Sequence, residues 1–360
     1  PPPDQAAVMQ GASGFIPAQG LHVQQSELCA TCHTLYTPYV DAAGEVVGEF
    51  PEQMPYIEWL ASDYADTQSC QACHMPEAVG GVQLSVTGGP LRSPVRQHSF
   101  EGGSAYGLAM LRQFGAELGA TASSEHFDAA IARMQHMMQT QVATLAVENA
   151  ALSDGTLAFD VAITNLVGHK FPSAYPSRRA WLHITVTDST GAVIFESGAF
   201  NPDGSIAGNA NDEDPAAFEP HYTTLTAADQ VQIYEPIMVN TDGEVTTTLL
   251  RGAAYIKDNR LLPLGFDKTG ALPEIGVYGD ALADEDFTAG GDRLRVEVDA
   301  AGGSGPLTIS VELLYQSIGF RWADNLRAYD APEPAAFVGI YEQVPNLPVA
   351  VAAASGEVSP

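Results

Sequence analysis

The stretch Cys29-Ala30-Thr31-Cys32-His33 recurs as Cys70-Gln71-Ala72-Cys73-His74, and the two copies use all four cysteines of the chain. In each copy the thiols lie three positions apart, and a histidine follows the second thiol directly. This spacing is typical of c-type haem attachment, because each thiol can form a thioether with one vinyl group of the same haem while the histidine binds the iron. The repeat therefore predicts two haem c groups with Cys29, Cys32, Cys70 and Cys73 as attachment sites and His33 and His74 as iron ligands.

Two other uses of four cysteines are alternatives to haem attachment. The thiols could form two disulfides, or all four could bind one zinc ion, since zinc ribbons also contain C-x-x-C pairs. Neither alternative requires a histidine directly after each pair. The histidine in both copies therefore favours haem.

Length and charge limit the classes of partner. The chain has 360 residues, enough for two or three domains, and a formal net charge of −29 from 44 acidic and 15 basic residues. Such an excess of negative charge argues against nucleic acid and against an anionic membrane surface as partners. No apolar run reaches the roughly 18 residues that suggest a membrane span. No signal peptide stands at Pro1, so we expect a mature chain.

The order of sequence patterns predicts an α+β, mainly β chain in three parts. Residues 1–104 form a loop-rich dihaem domain that begins with an extended arm or loop from Pro1 to about Gln25. Residues 105–143 form a helical connection, with helices predicted at Tyr106–Leu118 and at Ser124–Ala143 from apolar residues at helical spacing. Residues 144–360 form a C-terminal antiparallel β-sandwich, because short alternating segments are separated there by turn signals such as Asp154-Gly155.

Three further histidines are candidates for the distal iron ligands. His98 precedes an aromatic residue and the pair Gly102-Gly103, so it could reach over a porphyrin or lie on a surface loop. His169 follows Gly168, which permits close backbone approach, and it could bind iron or form hydrogen bonds within its loop. His22 lies shortly before Cys29 and could fold back onto a haem or remain free.

Charged residues suggest two further sites. Lys170, Arg178 and Arg179 lie close to His169 in sequence and could pair with a haem propionate, or they could be solvated surface charges or partners of local carboxylates. The acidic stretches 209–214 and 284–286 with Asp292 could bind Ca²⁺, although solvated loops are the simpler interpretation in so acidic a chain.

Several runs resemble bacterial multihaem c-type cytochromes. They are Cys29–Tyr36, Phe50–Gln53, Cys73–Pro76, His98–Gly103, Gly168–Pro172, Arg178–His183 and Lys257–Pro263. The resemblance covers most of the chain and implies electron transfer through closely spaced bis-histidine haems in the periplasm or outside the cell. It also implies His98 and His169 as distal ligands and His22 as a histidine often present before the first site. Redox proteins or neighbouring copies of the chain are the implied partners, and some members assemble into haem-lined filaments.

The sequence leaves three functional classes open. In an electron carrier each iron has two axial ligands, and the chain contains enough histidines to supply them. A haem enzyme would keep an open axial position and act on a small nitrogen or oxygen compound. A third possibility is a docking protein in which the β-domain binds a partner and the haems serve a single interface.

Overall fold

The computed structural model describes residues 6–83 and 88–359 and shows an α+β chain, as the sequence predicts. The helices are α1 Ala6–Ser13, α2 Glu27–His33, α3 Pro55–Leu60, α4 Cys70–His74, α5 Ala105–Leu118, α6 Ser124–Gln141, α7 Ala210–Glu213, α8 Phe320–Asn325 and α9 Pro332–Tyr341. The strands are β1 Leu35–Val40, β2 Val46–Gln53, β3 Ala143–Ser153, β4 Thr156–Asn165, β5 Arg179–Thr187, β6 Val193–Ser197, β7 Thr224–Leu225, β8 Ile233–Tyr234, β9 Pro236–Val239, β10 Val245–Thr246, β11 Ala254–Asp258, β12 Gly291–Asp299, β13 Leu307–Gln316 and β14 Val349–Val358.

The N-terminal arm differs from the expectation. Residues 6–13 form α1 and Leu21–Gln24 form a 3₁₀ turn, whereas an extended arm was predicted for this part of the chain. The physical reason is local, because the run Ala6-Ala7-Val8-Met9-Gln10 consists mostly of good helix formers. The start of the predicted arm, Pro1–Gln5, lies outside the described residues.

The two predicted helices after the haem motifs are confirmed. Helix α5 ends at Gly119, whose left-handed backbone (φ 75°) closes the helix, as glycine commonly does. Helix α6 begins after Ser123, one residue before the predicted N-cap, and buries Met137 and Met138.

Two antiparallel sheets share one hydrophobic core. One sheet has the order β3-β4-β12-β7, in which only β7 runs parallel to its neighbour, and the other has the order β14-β13-β5-β6 with β8 beside β5. Alternate residues of β4, β5, β12 and β13 point into this core, as the period of two predicts. Their buried members are Leu157, Phe159, Val161, Ile163, Leu182, Ile184, Val186, Leu294, Val296, Val298, Ile309, Val311 and Leu313.

The core of the sheets continues into the segment between the two haem motifs. Met54 is buried within the same apolar cluster, and Ile57 and Ala61 pack against it. The ring of Phe50 on β2 lies 4.6 Å from the ring of Tyr255 on β11. Hairpin β1–β2 and helix α3 therefore rest on the β-sheets, and this contact positions the site described below.

A smaller apolar cluster holds α5 against the C-terminal part of the chain. Met110 and Phe114 of α5 pack with Ala323, Tyr341 and Val344. Helix α9 was not predicted, and strand β14 follows it over Val349–Val358. Among the described residues, none of the helices combines the length and the apolar character needed to cross a bilayer.

Candidate haem-binding site

The two attachment motifs form two short helices that pack against each other. In α2 and α4 the spacing of three places both thiols on one side of a helical turn. Ser26 Oγ accepts a hydrogen bond from the backbone N–H of Cys70 at 3.1 Å, and Gln71 Nε2 donates to the carbonyl of Gln25 at 2.8 Å. Partial burial and then the neighbouring Cys70 thiol raise the pKa of Cys29. The two motifs are therefore adjacent, although about forty residues separate them in sequence.

The arrangement of the thiols does not favour the disulfide and zinc alternatives. All four cysteines are free; Cys29 and Cys70 are half-buried, and Cys32 and Cys73 are exposed. Within residues 6–83 and 88–359, the cysteines do not form a group of three or more possible metal ligands. His33, beside these thiols, is also exposed. This arrangement suits the attachment of a large group on the surface of α2 and α4.

Apolar side chains are exposed around the two motifs. Ordinary folding would bury most of them, because apolar surface is unfavourable in water. A porphyrin with its broad apolar faces could cover them, so the residues present fit a haem. The exposed residues are Leu21, Val23, Leu28, Leu60, Leu91 and Phe100.

The structure brings His74 and His169 together. Their ring centres lie 6.2 Å apart, and their planes differ by 9°. Metal–imidazole bonds are about 2.0 Å long, so two imidazoles on opposite sides of one metal ion have ring centres about 6.3 Å apart. The observed separation matches the separation expected for two axial ligands of one iron.

Hydrogen bonds at Nδ1 fix the tautomers of His74 and His169. Nδ1 of His74 lies 2.6 Å from the carbonyl oxygen of Glu101, and Nδ1 of His169 lies 2.8 Å from the carbonyl oxygen of Lys170. A carbonyl only accepts hydrogen bonds, so each Nδ1 carries the proton and donates it. Each Nε2 then keeps its lone pair, as a metal-binding histidine requires.

Glu58 holds the loop that presents His169. This carboxylate on α3 is fully buried and accepts hydrogen bonds from the backbone N–H of Lys170 at 3.1 Å and from Ser173 Oγ at 2.6 Å. Its other oxygen lies 3.0 Å from the guanidinium of Arg260. Nothing in the sequence distinguishes Glu58 from the many other acidic residues of this strongly acidic chain. Its position shows that a side chain between the haem motifs orients a loop of the β-domain.

Gly168 allows this loop to approach the haem-bearing part of the chain. A Cβ atom at Gly168 would lie 3.0 Å from Tyr64 Cβ and 3.2 Å from Trp59 Cδ1, closer than side chains normally pack. Tyr64 also donates a hydrogen bond to the carbonyl of Leu166 at 2.8 Å. The close approach expected at Gly168 is confirmed. The backbone at Gly168 lies against two aromatic residues between the attachment motifs, Trp59 and Tyr64.

The structure places the three basic residues near His169 in different surroundings. Lys170 is fully buried and donates to Asp258 and to the carbonyl of Gly276, each at 2.8 Å. Arg179 is buried and pairs with Asp212 at 2.9 Å. Both side chains therefore pair with local carboxylates, which is the alternative to a propionate that the sequence left open.

Arg178 remains beside the histidines. It is half-buried and donates to the carbonyl of Ser173 at 2.9 Å. Desolvation, then His74 and Arg178, lower the pKa of His33. Desolvation also lowers the pKa of His169, with smaller contributions of the same sign from His74 and Arg178. A positive charge therefore lies within electrostatic reach of both histidines.

The other candidate ligands, His22 and His98, lie on the surface. The His98 ring lies 5.8 Å from the ring of Phe100, and His22 turns towards Gly20. No ring contact in the described parts of the chain links either histidine with His33 or His74. The structure thus pairs His74 with His169 and leaves the partner of His33 open.

The acidic loops serve internal hydrogen bonds. His221 lies 3.0 Å from Asp284, and Asp292 belongs to the same buried group. The amides of Gln232 and Asn259 both donate to His221 Nδ1, which places the imidazole proton on Nε2. The imidazole is therefore not available to a cation, and the hydrogen bonds at this group do not favour Ca²⁺.

A cavity of about 610 Å³ lies beside Arg178. Its walls come from the start of α5, the end of β13 and the segment of α8 and α9, and they combine aromatic and aliphatic side chains with several hydroxyl groups. The lining residues are Ser104, Gly107, Tyr175, Ser177, Arg178, Thr247, Thr248, Leu249, Ser317, Ile318, Trp322, Asn325, Leu326, Tyr329, Pro334 and Phe337. Its size and lining are those of sites for apolar cofactors.

Comparisons with known proteins give a single distant similarity to report. No protein-family model matches the sequence, and no curated protein matches it. The fold is similar to the crystal structure of a penta-heme cytochrome c552 from Thermochromatium tepidum, with a TM-score of 0.49 and 16% sequence identity. The match covers 93% of this chain and 56% of that chain, so this chain spans little more than half the length of that structure. A similarity this distant carries no argument about function.

Proposed function

We propose that this chain carries two covalently attached c-type haems and transfers electrons through them, in the periplasm or outside the cell. The observation that carries the proposal is the His74–His169 pair, with ring centres 6.2 Å apart and both Nδ1 atoms engaged by backbone carbonyls. Two imidazoles in this arrangement leave both Nε2 atoms for one iron. The Cys70 and Cys73 thiols precede His74 directly and supply the covalent bonds.

The side chains of this chain have three roles in the proposed transfer. When bound, each haem supplies an iron that exchanges one electron between its ferric and ferrous states. The cysteine thiols fix the group to α2 and α4, and the histidines hold the iron in place. Glu58 and the carbonyls of Glu101 and Lys170 keep the imidazoles oriented, so ligand geometry changes little when charge changes. The packing of α2 on α4 places the two attachment sites next to each other.

Redox proteins or neighbouring copies of the chain are the proposed partners, with a haem-lined filament as the extended form. The exposed His22 and His98 support this part of the proposal, because surface imidazoles are accessible to another chain. The oligomeric state of the purified holoprotein tests it, by light scattering across a range of concentrations. A strictly monomeric protein at all concentrations would contradict the filament.

Catalysis at an open axial position is the second candidate function. One observation favours it: the described contacts bring a second imidazole to His74 but not to His33. An iron held by His33 alone would have a free position for a small nitrogen or oxygen compound. Carbon monoxide separates the candidates, since a haem with two histidine ligands does not bind it readily. Carbon monoxide binding by the unmodified ferrous protein would favour the enzyme.

The test of the electron-transfer proposal is His169→Ala in the intact holoprotein. We expect a pyridine haemochrome assay to give two haems per chain before and after the change, because the thioether bonds remain. One of the two low-spin ferric signals should be lost, and the ferrous variant should bind one additional carbon monoxide per chain.

The matched control is His136→Ala. His136 is exposed on α6, so its removal should leave the spectra unchanged. Unchanged low-spin signals in His169→Ala would overturn the ligand role of His169, and absence of covalent haem would overturn the whole proposal.

A further inference from the structure

The cavity beside Arg178 is separate from the candidate haem site. Among the described residues, its walls contain neither a cysteine nor a histidine. Its volume of about 610 Å³ is far larger than a small nitrogen or oxygen compound needs and lies within the range of about 300–1,000 Å³ for organic ligands. Ser104 and Tyr329 line it and are exposed, so the cavity is open to solvent. An organic molecule can therefore enter it directly.

The walls of the cavity favour an uncharged aromatic ring. The rings of Tyr175 and Trp322 lie 5.4 Å apart, edge to face, and Phe337 adds a further ring to the lining. Aromatic and aliphatic walls bind flat apolar rings well. In the described parts of the chain the lining includes no acidic residue, although the protein has 44 of them. The single positive charge of Arg178 disfavours a cation, and the net charge of −29 disfavours an anion.

Arg178 supplies hydrogen-bond donors to a ligand in the cavity. Its Nη1 donates to the carbonyl of Ser173 at 2.9 Å, and its other guanidinium nitrogens have no hydrogen-bond partner among the described residues. The side chain is half-buried, and these nitrogens remain accessible. The hydroxyl of Ser104 is also free, because it does not cap α5. A guanidinium can only donate, so this group suits an oxygen acceptor of the ligand.

A second polar group lies elsewhere on the wall. Thr248 Oγ1 lies 2.9 Å from the hydroxyl of Tyr329 and accepts a hydrogen bond from Asn325 Nδ2 at 3.1 Å. Thr248 can therefore donate its own proton to Tyr329, which leaves the phenol proton for a ligand. In the part of the chain that the structure describes, no hydrogen bond links this group with Arg178. Two separate donors in an apolar cavity match a ring that carries two oxygen atoms.

The cavity adjoins both segments that carry the paired histidines. Ser104 lies three residues after Glu101, whose carbonyl oxygen is 2.6 Å from Nδ1 of His74. The Cα atoms of Glu101 and Ser104 are thus no more than about 11 Å apart. Arg178 hydrogen-bonds the carbonyl of Ser173, in the loop that presents the other histidine. A ligand in the cavity therefore lies beside the proposed electron-transfer site.

We propose that this cavity binds a quinone or its hydroquinone, an uncharged planar carrier with two ring oxygens. The inference rests on the proposed function and names the class of small molecule that supplies its electrons. Oxidation of the hydroquinone breaks two O–H bonds and yields the quinone, two protons and two electrons. The protons pass to water at the open side of the cavity. The two ferric irons of the proposed haems take up one electron each, so donor and acceptor match in number.

Binding is tested first with the oxidised holoprotein, in which electron transfer from the protein does not interfere. Equilibrium dialysis with menadione, an uncharged naphthoquinone, should show saturable binding of one molecule per chain. Gly107→Leu should weaken this binding by about tenfold or more, because the new side chain fills the cavity. The fold should tolerate the change, since a Cβ atom at Gly107 meets no other atom within 4 Å.

Gly339→Leu is the matched control. Gly339 also lies in a helix with free space at the Cβ position, but it does not line the cavity. This variant should bind menadione as the unmodified protein does. Tyr329→Phe should weaken binding by about 2- to 10-fold, the loss expected for one hydrogen bond.

Reduction by menadiol, the hydroquinone of menadione, tests the role of the ligand. Visible absorption should show that the rate of haem reduction saturates with menadiol in the unmodified protein and in Gly339→Leu. In Gly107→Leu the rate should be lower and should not saturate. Dithionite, a small inorganic reductant that does not need the cavity, should reduce all three proteins at the same rate.

Two results would overturn the proposal. One is equal menadione binding by Gly107→Leu and Gly339→Leu, or no binding by the unmodified protein. The other is binding without saturable reduction by menadiol, which would exclude the hydroquinone as the electron donor.

Failure of this inference is distinguishable from failure of the proposed function. A protein with two covalent haems and a His169-dependent low-spin signal that does not bind menadione would lose only the quinone site. A protein without covalent haem would lose the proposed function, whatever its affinity for menadione.

Discussion

At the scale of single residues, the buried carboxylate of Glu58 fixes the loop that carries His169. Glu58 accepts hydrogen bonds from the backbone of Lys170 and from Ser173 and pairs with Arg260. The first two contacts restrict the loop that follows His169. Because an imidazole ligand must be oriented before the iron can hold it, the geometry of the His74–His169 pair depends on a residue that touches neither ring.

Glu58→Gln tests this dependence. The amide keeps the size of the side chain but removes the negative charge beside Arg260, and breaking a buried pair costs about 3–5 kcal/mol. We expect a lower unfolding temperature and a partial high-spin signal from one haem, measured by calorimetry and by visible spectroscopy. Glu49→Gln, at an exposed position on β2, is the control. A variant that matches the unmodified protein in both measurements would show that Glu58 does not position the loop.

At the scale of elements, the contact between α2 and α4 sets the relation of the two attachment sites. Both helices are too short to be stable alone in water. Ser26 is buried ahead of α2, and its hydroxyl binds the first backbone N–H of α4. The two helices therefore stabilise each other, and the covalent group on each would add to the same contact.

Ser26→Ala tests the contact between the helices. It leaves the Cys70 N–H without its partner, and an unsatisfied buried donor costs about 1–3 kcal/mol. We expect the free energy of unfolding of the holoprotein to fall by about this amount in denaturant titration. Ser69→Ala is a matched control at the same junction, because the Ser69 side chain makes no capping hydrogen bond. Equal losses in both variants would contradict the role of the Ser26 hydroxyl.

At the scale of the whole molecule, a buried ion network joins α3, between the two attachment motifs, to β11 and the loop of His169. Asp258 at the end of β11 pairs with Lys170 at 2.8 Å and with Arg260 at 2.7 Å, and Arg260 reaches Glu58 on α3. Burial opposes ionisation of Asp258, but the charges of Arg260 and Lys170 outweigh it and lower the pKa of this carboxyl. The network thus links the stability of the fold to the loop that carries His169.

The lowered pKa of Asp258 gives the fold a defined pH dependence. A carboxyl whose pKa is lower in the folded state stabilises that state fully above its unfolded value of about 3.9. The stabilisation is lost as pH falls through the lower folded value. We expect the unfolding temperature to fall steeply from about pH 4 downwards and the low-spin signal of the His74–His169 haem to be lost in parallel.

Asp258→Asn tests whether this ion network, rather than another acid-labile group, causes the loss of stability at low pH. The variant should be less stable at pH 7, by about 3–5 kcal/mol for a broken buried pair, and its stability should depend less on pH below 4. Calorimetry between pH 7 and pH 3 measures both effects. If Asp258→Asn retains the same acid dependence as the unmodified protein, another group causes it.

Part of the fold could be predicted because its signals are local. The alternating residues of β4, β5, β12 and β13 and the helical spacing in α5 and α6 follow from backbone geometry and from the burial of one face. Helix α9 lacks such a signal: its sequence Pro332–Tyr341 contains two prolines and a glycine and has no clear polar face. Its packing on α5 and on α8, through the apolar cluster of Met110, Phe114, Ala323 and Tyr341, makes it a stable element.

The sequence by itself determined the prediction of covalent attachment, because two thiols and a histidine within five residues would act through local spacing alone. Only the tertiary structure decided which distant histidine faces His74, because the choice depends on how the loop of His169 docks on α3. Lys170, Arg178 and Arg179 are neighbours in sequence, yet packing directs Lys170 and Arg179 into the interior and leaves Arg178 beside the histidines. Glu58 had no distinguishing signal in the sequence, since a buried polar group acquires its role from partners that only folding brings near.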